Sequence, residues 1–330
     1  MRYYDPESTT KTEQTKARYV AQAEKLLKRY RASGESGDDV AFVDWLIALK
    51  PTIKSPTWRS YKSSVVWYLT SRNRDDLAER LAGVNSDGCM PRMPTNKRGP
   101  GKKKKSVTED EESKIFQHFQ GRIDTNFWAI PASAFFKATL LVGLRPIEWQ
   151  GSTLYLQPVD GVEGPFPVLK VKNAKDTNGR AHGEYRYLHL HDMDKDDIKR
   201  VYVALMLADP RHPKGWLTPS GKAESWDEFY KKLSDNFAKA IRSVFPRSKR
   251  GIALYSARHQ FIADLKYAEY PPEEIAAIVG HAVDDTAGVH YGRKRNGRSG
   301  KGGLPKANPS DVARVRVVST SVAPSPHKPA

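Results

Sequence analysis

A stretch without apolar periodicity, residues 83–105, divides this 330-residue sequence into two parts. It reads GVNSDGCMPRMPTNKRGPGKKKK, so glycine, proline and lysine stand where a helix or strand would need regularly spaced apolar residues. Each flanking part is long enough to bury a core of its own. The sequence therefore predicts two domains, at 1–88 and 106–295, joined by a basic linker at 89–105 and followed by a basic, partly disordered tail at 296–330.

Positive charge indicates what kind of partner the chain has. Lysine and arginine outnumber aspartate and glutamate by 55 to 38, which gives a formal net charge of +17. Such an excess favours double-stranded DNA or another polyanion, because each phosphate contact releases counterions. The linker concentrates this charge, and we predict DNA contacts there, although a solvated spacer or a nuclear-import-like basic run has the same composition. Its cations are Lys97, Arg98, Lys102, Lys103, Lys104 and Lys105.

Several other classes of protein and site are disfavoured. The single cysteine, Cys89, excludes an internal disulfide and a metal cluster built from cysteines. The N-terminal residues form no apolar signal segment, and the most apolar stretch, 132–144, is too short to span a membrane, so we expect a cytoplasmic protein with no membrane partner. Four histidines in separate segments are interpreted as structural or exposed rather than as ligands of a metal: His182, His189, His191 and His290.

The first domain has the apolar spacing of helices. Residues 9–30 carry apolar side chains at helical intervals. Asp38 or Asp39 can cap a second helix that Pro51 ends, and Ser55 with Pro56 opens a third. A short fourth helix is predicted at 75–81. This domain is therefore expected to be all-helical.

The second domain mixes helices with a small amount of strand. Ser106 and Glu109 have the spacing of a capping box, which predicts a helix from 106 to about 120. Residues 153–159, 165–175 and 184–190 are strand-like, and the last two alternate as the strands of a hairpin do. The alternation of VARVRVV in the tail could make one more strand. The remaining patterns predict helices at 132–143, 192–245, 256–267 and 272–279. The predicted fold class is mainly α, with a helical N-terminal domain and a mostly helical second domain that contains a small antiparallel sheet.

Three motifs of the second domain carry residues suited to metal-free phosphoryl transfer. That reaction needs fixed cations around the phosphate, a nucleophile and an acid for the leaving oxygen, and arginine is the preferred cation because its fork matches two phosphate oxygens. LLVGLRPIEW supplies Arg145, with Glu148 placed to hold its guanidinium, LYSARHQFIADL supplies Arg258, and IAAIVGHAVDDTAGVHY supplies His281 and Tyr291. Taken singly, each motif also fits a bland interpretation: an arginine that caps a helix end, an arginine on the surface of an amphipathic helix, or a lone histidine near a tyrosine.

In this order and spacing, the motifs resemble the tyrosine recombinase (phage-type integrase) family. That family has an arginine in a GLR-x-x-E context, a hairpin lysine, a His-x-x-Arg helix, a Gly-His turn and, nine or ten residues later, a nucleophilic tyrosine. Here GLRPIE, YSAR and VGH are followed by Tyr291, ten residues beyond His281. The resemblance covers residues 106–295, and the helical N-terminal domain is similar in architecture to the family's core-binding domain.

The resemblance implies a role for each residue. Tyr291 attacks the scissile phosphate to form a 3′-phosphotyrosyl bond, Arg145 and Arg258 stabilise the phosphoryl oxygens, and His281 donates a hydrogen bond to the same phosphate. A hairpin lysine protonates the leaving 5′-oxygen. Lys175 is the preferred candidate and Lys172 is the alternative. Rejoining reverses the first step, so no cofactor, ATP or metal is expected.

One residue departs from the family's pattern. Tyr255 stands where the family has a histidine, three residues before Arg258. A phenol ionises at about pH 10, so Tyr255 could donate a hydrogen bond but would be a poor base near neutrality. We interpret it as a working substitute in an active enzyme. The alternatives are a catalytically weakened DNA-binding relative and an enzyme similar to type IB topoisomerases.

The resemblance also implies how the protein assembles. It implies two domains closing around duplex DNA and a homotetramer on two DNA sites, with the tail beyond Tyr291 docking on a neighbouring subunit. On that hypothesis, deletion after about residue 300 weakens pairing of the sites and leaves single-site binding intact. DNA-bending or directionality proteins are possible accessory partners. The setting implied is a mobile genetic element in the bacterial cytoplasm, with the protein associated with the nucleoid.

Overall fold

The computed structural model describes eight stretches of the chain, residues 13–34, 37–91, 103–159, 162–174, 182–248, 251–284, 292–299 and 303–318. Two compact units are present, Met1–Gly99 and Pro100–Ala330. Lys97, Arg98, Lys102, Lys175, His290 and Tyr291 lie outside the described residues. Within those stretches, no helix has both the length and the apolar character that crossing a membrane requires.

The N-terminal unit contains four α-helices among its described residues. Asp38 caps the second helix by accepting hydrogen bonds from the main-chain N–H groups of Val40 and Ala41, as its position predicted. Trp58, Phe42 and Leu46 are fully buried between the helices and form the centre of the core. The helices are α1 (Glu13–Ala32), α2 (Asp39–Ala48), α3 (Ser55–Thr70) and α4 (Asp75–Gly83).

The C-terminal unit packs helices around one apolar helix. That helix, Ala129–Val142, contacts four other helices, and its Phe135 and Phe136 are buried with Phe229, Phe237 and Phe261. The elements are α5 (Glu109–Gln120), α6 (Ala129–Val142), β1 (Thr153–Val159), β2 (Val162–Lys172), β3 (Tyr185–His189), α7 (Lys195–Ala208), β4 (Leu217–Thr218), β5 (Gly221–Lys222), α8 (Trp226–Val244), α9 (Leu254–Tyr267), α10 (Pro272–Val279), β6 (Lys306–Ala307) and α11 (Pro309–Ala313). The expected mainly α fold with a small antiparallel sheet is confirmed.

The main sheet has the strand order β1-β2-β3-β6 and is antiparallel throughout. Val171 on β2 lies opposite Arg186 on β3, and Lys172 lies opposite Tyr185. Residues directly opposite one another point to the same face, and successive residues alternate between faces. Arg186 and Val171 therefore share the face that Leu188 buries in the core, whereas Lys172 points to the other face.

Two predicted helix boundaries are wrong. Helix α5 is capped by Thr108 and Glu111, not by Ser106 and Glu109. The reason is that Val107 is buried and its N–H donates to the Gln260 Oε1 at 2.8 Å, which holds the chain outside the helix at that point. The region 192–245, which was predicted to be helical, contains two helices, α7 and α8, separated by the β4–β5 hairpin.

The predictions for the tail also need correction. Residues 303–318 are packed on the C-terminal unit: β6 pairs with β3, and the VARVRVV segment begins inside helix α11 instead of forming a strand throughout. Asp311 is fully buried and its Oδ2 accepts from the Tyr187 N–H at 2.7 Å. Only the end of the segment pairs as a strand would, where Arg316 bridges to Val283. Residues 303–318 are therefore part of the fold of the C-terminal unit.

Candidate active site

Arg145 is held at the end of the central helix. Helix α6 stops at Gly143, whose left-handed conformation turns the chain, and Arg145 then precedes a short 3₁₀ helix. The main-chain N–H of Arg145 donates to the Glu148 Oε2 at 2.7 Å, and its Nη1 donates to the Oε1 at 2.6 Å. Glu148 thus orients the guanidinium, as the GLRPIE spacing predicted.

Arg258 reaches the same region from α9. Its side chain is fully buried. Nη1 donates to the Gly143 carbonyl, and Nη2 donates to the Val279 carbonyl at 2.7 Å and lies 3.5 Å from the His281 Nε2. The alternative interpretation of Arg258, a surface arginine on an amphipathic helix, is therefore wrong.

His281 follows a left-handed turn at Gly280 that ends α10. The Gly280 carbonyl accepts from the Arg145 Nη2 at 3.3 Å, which brings the Gly-His turn against Arg145. Burial, together with the positive charges of Arg258 and Arg145, lowers the pKa of His281 to about 2. Its imidazole is therefore neutral near pH 7 and carries one N–H that can donate.

A third arginine, which the sequence motifs did not indicate, completes the site. Arg186 on β3 is fully buried and donates to both oxygens of Glu148, at 3.2 and 2.9 Å. Its Nε donates to the Ile278 carbonyl at 2.9 Å, and its Nη1 donates to the Asn173 Oδ1. We call Arg145, Glu148, Arg186, Arg258 and His281 the arginine cluster. One signal in the sequence pointed to Arg186: in EYRYLHL it has the same strand parity as the apolar Leu188.

The charge of the arginine cluster favours an anionic ligand. Burial would raise the pKa of the Glu148 carboxyl, but the guanidinium groups of Arg186, Arg145 and Arg258 outweigh it and hold that pKa well below its ordinary range. Three positive charges then face one negative charge, while the histidine is neutral. Buried charge is costly unless it is compensated, so a phosphate beside Arg145, whose side chain is 9% exposed, would relieve the excess.

Tyr255 and His259 lie one helical turn apart on α9. Their rings meet edge to face with centroids 5.3 Å apart. Burial and the charges of Lys105 and Arg258 lower the pKa of His259 to about 4, so it too is a neutral imidazole near pH 7. A pKa this low also makes the His259 imidazole a weak base near neutrality.

Of the two candidate lysines, only Lys172 lies within the described residues. Lys172 ends β2 with 57% of its side chain exposed, and its Nζ lies 3.7 Å from the Glu184 carboxylate. It points away from the face on which Arg186 lies. Lys175 lies outside the described residues. Of the linker cations that are described, Lys104 pairs with Glu111 inside the domain, while Lys103 and Lys105 are exposed.

The residue that follows Tyr291 is in contact with the helix of Arg258. The Gly292 carbonyl accepts from the Lys266 Nζ on α9 at 2.8 Å. A Cβ at this position would overlap the His259 carbonyl oxygen and lie 2.9 Å from the Ala263 Cβ. Glycine is therefore what lets the chain approach α9 this closely.

Three contacts hold the next residues in the same place. Arg298 forms an ion pair with Asp264 on α9 at 2.7 Å and another with Glu112 on α5. The Asn296 carbonyl accepts from the Gln260 Nε2, also on α9, at 2.8 Å. The segment 292–299 is thus fixed on the helix that supplies Arg258.

Comparisons with known proteins gave structural similarities only. No family model and no curated protein matches the chain. Similar solved structures include the XerH site-specific recombinase in a pre-cleavage complex with difH (14% identity, 80% of this chain and 72% of that chain, TM-score 0.45) and in a post-cleavage complex with palindromic difH (13%, 82% and 74%, 0.48). A lambda integrase dimer bound to a COC′ core site is another (14%, 88% and 84%, 0.40). At these identities and TM-scores, the functional inference depends on the side chains of this protein.

Proposed function

We propose that this protein is a site-specific tyrosine recombinase that breaks and rejoins double-stranded DNA through a 3′-phosphotyrosyl intermediate on Tyr291. One observation carries the proposal: Arg145, Arg258 and His281, which come from three distant motifs, meet within hydrogen-bonding distance of the same short turn. The order of the motifs supports the family resemblance. The buried positive charge of the arginine cluster supports the binding of a phosphate at this turn.

In the proposed reaction, the phenol oxygen of Tyr291 attacks the phosphorus atom and the bond to the 5′-oxygen breaks. Arg145 and Arg258 each donate to non-bridging oxygens, and the neutral His281 donates its N–H to the same phosphate. The 5′-oxygen leaves with the bonding electrons and takes a proton from a lysine. Rejoining runs these steps in reverse, so the energy of the broken bond is kept in the phosphotyrosine.

The sheet register supports Lys175 over Lys172 as the acid. Lys172 points away from the face of Arg186 and pairs with Glu184. Lys175 follows the buried residue Asn173, which contacts the arginine cluster directly. We therefore assign the proton donation to Lys175.

Tyr255 takes the place of a histidine in this proposal, as a hydrogen-bond donor and not as a base. Its ring packs against the neutral imidazole of His259. The phenol proton that Tyr291 loses during attack passes to water in this proposal, because a pKa of about 4 makes the His259 imidazole a weak base. A Tyr255→His variant that cleaves faster than wild type would identify the tyrosine as a compromise.

The test is covalent trapping on a nicked suicide substrate. The probe is a duplex from the DNA that flanks the encoding gene, with a nick near the presumed crossover. Wild type is expected to form a covalent protein–DNA complex that survives denaturing electrophoresis, and Tyr291→Phe is expected to form none. Binding without trapping by wild type would instead indicate the catalytically weakened DNA-binding relative. Relaxation of supercoiled plasmid without site preference would indicate the topoisomerase alternative.

The same proposal includes the assembly that the resemblance implies, a homotetramer on two DNA sites aided by accessory proteins. Lys103 and Lys105 are exposed, and we propose that they contact the DNA backbone. The tail enters this assembly differently from the sequence-based hypothesis, because residues 303–318 are already packed on their own domain. Sedimentation of the protein with one and with two copies of its site measures the stoichiometry.

A further inference from the structure

We infer that Asn173, held by Arg186, is a positioning residue for the lysine that protonates the leaving oxygen. This inference rests on the proposed function and extends it to residues outside the motifs. Asn173 is 4% exposed and lies between the two candidate lysines, one residue after Lys172 and two before Lys175. Asn173 is therefore joined to Lys175 by two residues of main chain.

Asn173 closes the base of the segment that joins β2 to β3. Its main-chain N–H donates to the Glu184 carbonyl at 2.8 Å, and its Nδ2 donates to the Gly183 carbonyl at 2.7 Å. These two bonds join the outgoing and returning chains at one point. The residues beyond that point start from a fixed base.

The same base is bound to the groups that hold the phosphate clamp. The Asn173 Oδ1 accepts from the Arg186 Nη1, and the N–H of the next residue, Ala174, donates to the Glu148 Oε1 at 3.4 Å. Glu148 in turn holds Arg145. The hairpin base and Arg145 therefore share one carboxylate, that of Glu148.

The turn that carries His281 is packed against the same pair. A Cβ on Gly280 would lie 2.7 Å from both the Arg186 Nη1 and the Asn173 Oδ1. Only glycine leaves room for this contact. Asn173 and Arg186 thus pack against the Gly-His turn, and Arg186 bonds the carboxylate that holds Arg145. Of the two, Asn173 is the residue next to the candidate lysines in the sequence.

A sulfur substitution in the substrate isolates the effect on proton donation. In a 5′-bridging phosphorothiolate, attack by Tyr291 breaks a phosphorus–sulfur bond and the electron pair leaves on sulfur. A thiol ionises near pH 8.5, far below an alcohol, so the thiolate leaves without needing a proton from the lysine. The phenol proton is lost in the same way with either substrate.

The experiment compares cleavage of matched phosphodiester and phosphorothiolate suicide substrates by the full-length protein. Asn173→Ala is expected to slow cleavage of the phosphodiester about 10- to 100-fold, part of the 10²–10⁴ that a positioned acid supplies. On the phosphorothiolate it is expected to match wild type within about threefold. The Asn173→Ala/Lys175→Ala double variant is expected to be no slower than Lys175→Ala, because both changes remove one function.

Equal slowing on both substrates, or additive effects in the double variant, would overturn the inference while leaving the proposed function intact. Failure of wild type to cleave either substrate would overturn the proposed function itself. Asn236→Ala, which removes an asparagine bonded only within α8 in the described structure, is the matched control and is expected to behave as wild type on both. If Asn173→Ala does not fold, Asn173→Ser keeps an acceptor for Arg186 and allows the cleavage rates on the phosphodiester and on the phosphorothiolate to be compared instead.

Discussion

Replacement of Glu148 by glutamine tests whether one carboxylate holds the arginine cluster together. The substitution keeps the size of the side chain and removes its charge. Glu148 is fully buried, accepts hydrogen bonds from Arg145, Arg186 and Ala174, and lies 3.9 Å from Arg258. In the Glu148→Gln variant, three guanidinium groups are left without the carboxylate that compensates them.

The magnitude follows from the cost of breaking a buried ion pair by removing one partner, about 3–5 kcal/mol. For a domain of this size, 1 kcal/mol shifts the melting temperature by about 2–4 °C, so the expected loss is roughly 6–20 °C. Circular dichroism during heating and urea titration measures it. Glu269→Gln, at an exposed pair with Lys294, is the control and is expected to melt as wild type does. A Glu148→Gln protein that melts with the control would refute the role of this carboxylate.

Three further outcomes are expected. In the folded protein His281 stays neutral, with its pKa lowered to about 2, whereas the unfolded chain binds a proton at this residue near pH 6.5. Its stabilising contribution is therefore complete above about pH 6.5 and falls by roughly 1.4 kcal/mol per pH unit below it. In urea titrations, the free energy of unfolding should differ less between pH 7 and pH 5 for His281→Gln than for wild type. Gly292→Ala should bind DNA in gel shifts as wild type does yet trap at least about tenfold less of it, because the added methyl group displaces the chain from α9, and normal trapping would contradict that. Deletion after residue 304 should lower the melting temperature of the protein itself, since Asp311 and β6 belong to its fold; unchanged melting with weaker site pairing would restore the neighbour-docking hypothesis.

Local signals in the sequence were sufficient for much of the fold. Helix α10 was predicted at its observed bounds, Pro272–Val279, because proline begins it and glycine ends it. The start of α5 was missed because two capping boxes overlap there, Ser106 with Glu109 and Thr108 with Glu111. What decides between them is a hydrogen bond from Val107 to Gln260, 153 residues away.

Contacts between distant residues also limited what the sequence predicted of the site. Arg145, Glu148, Arg258 and His281 were found because their motifs are local and ordered, and the structure brings these four together. Arg186 and Asn173 were missed because their importance arises from contacts across the sheet and with α10. The tail was expected to be partly disordered because it is rich in glycine, arginine, proline and serine. Its residues Lys306 and Ala307 nevertheless pair with β3, a contact that composition does not reveal.

The contact of Gly292 with α9 bears on whether Tyr291 acts with the arginines of its own subunit or with those of a neighbour. Tyr291 directly precedes Gly292 in the chain. On the proposed function, the tyrosine is therefore expected to serve the arginines of its own polypeptide. Mixing Tyr291→Phe subunits with Arg258→Ala subunits should therefore restore no strand cutting, whereas an enzyme that lends its tyrosine to a neighbour would regain activity in such a mixture.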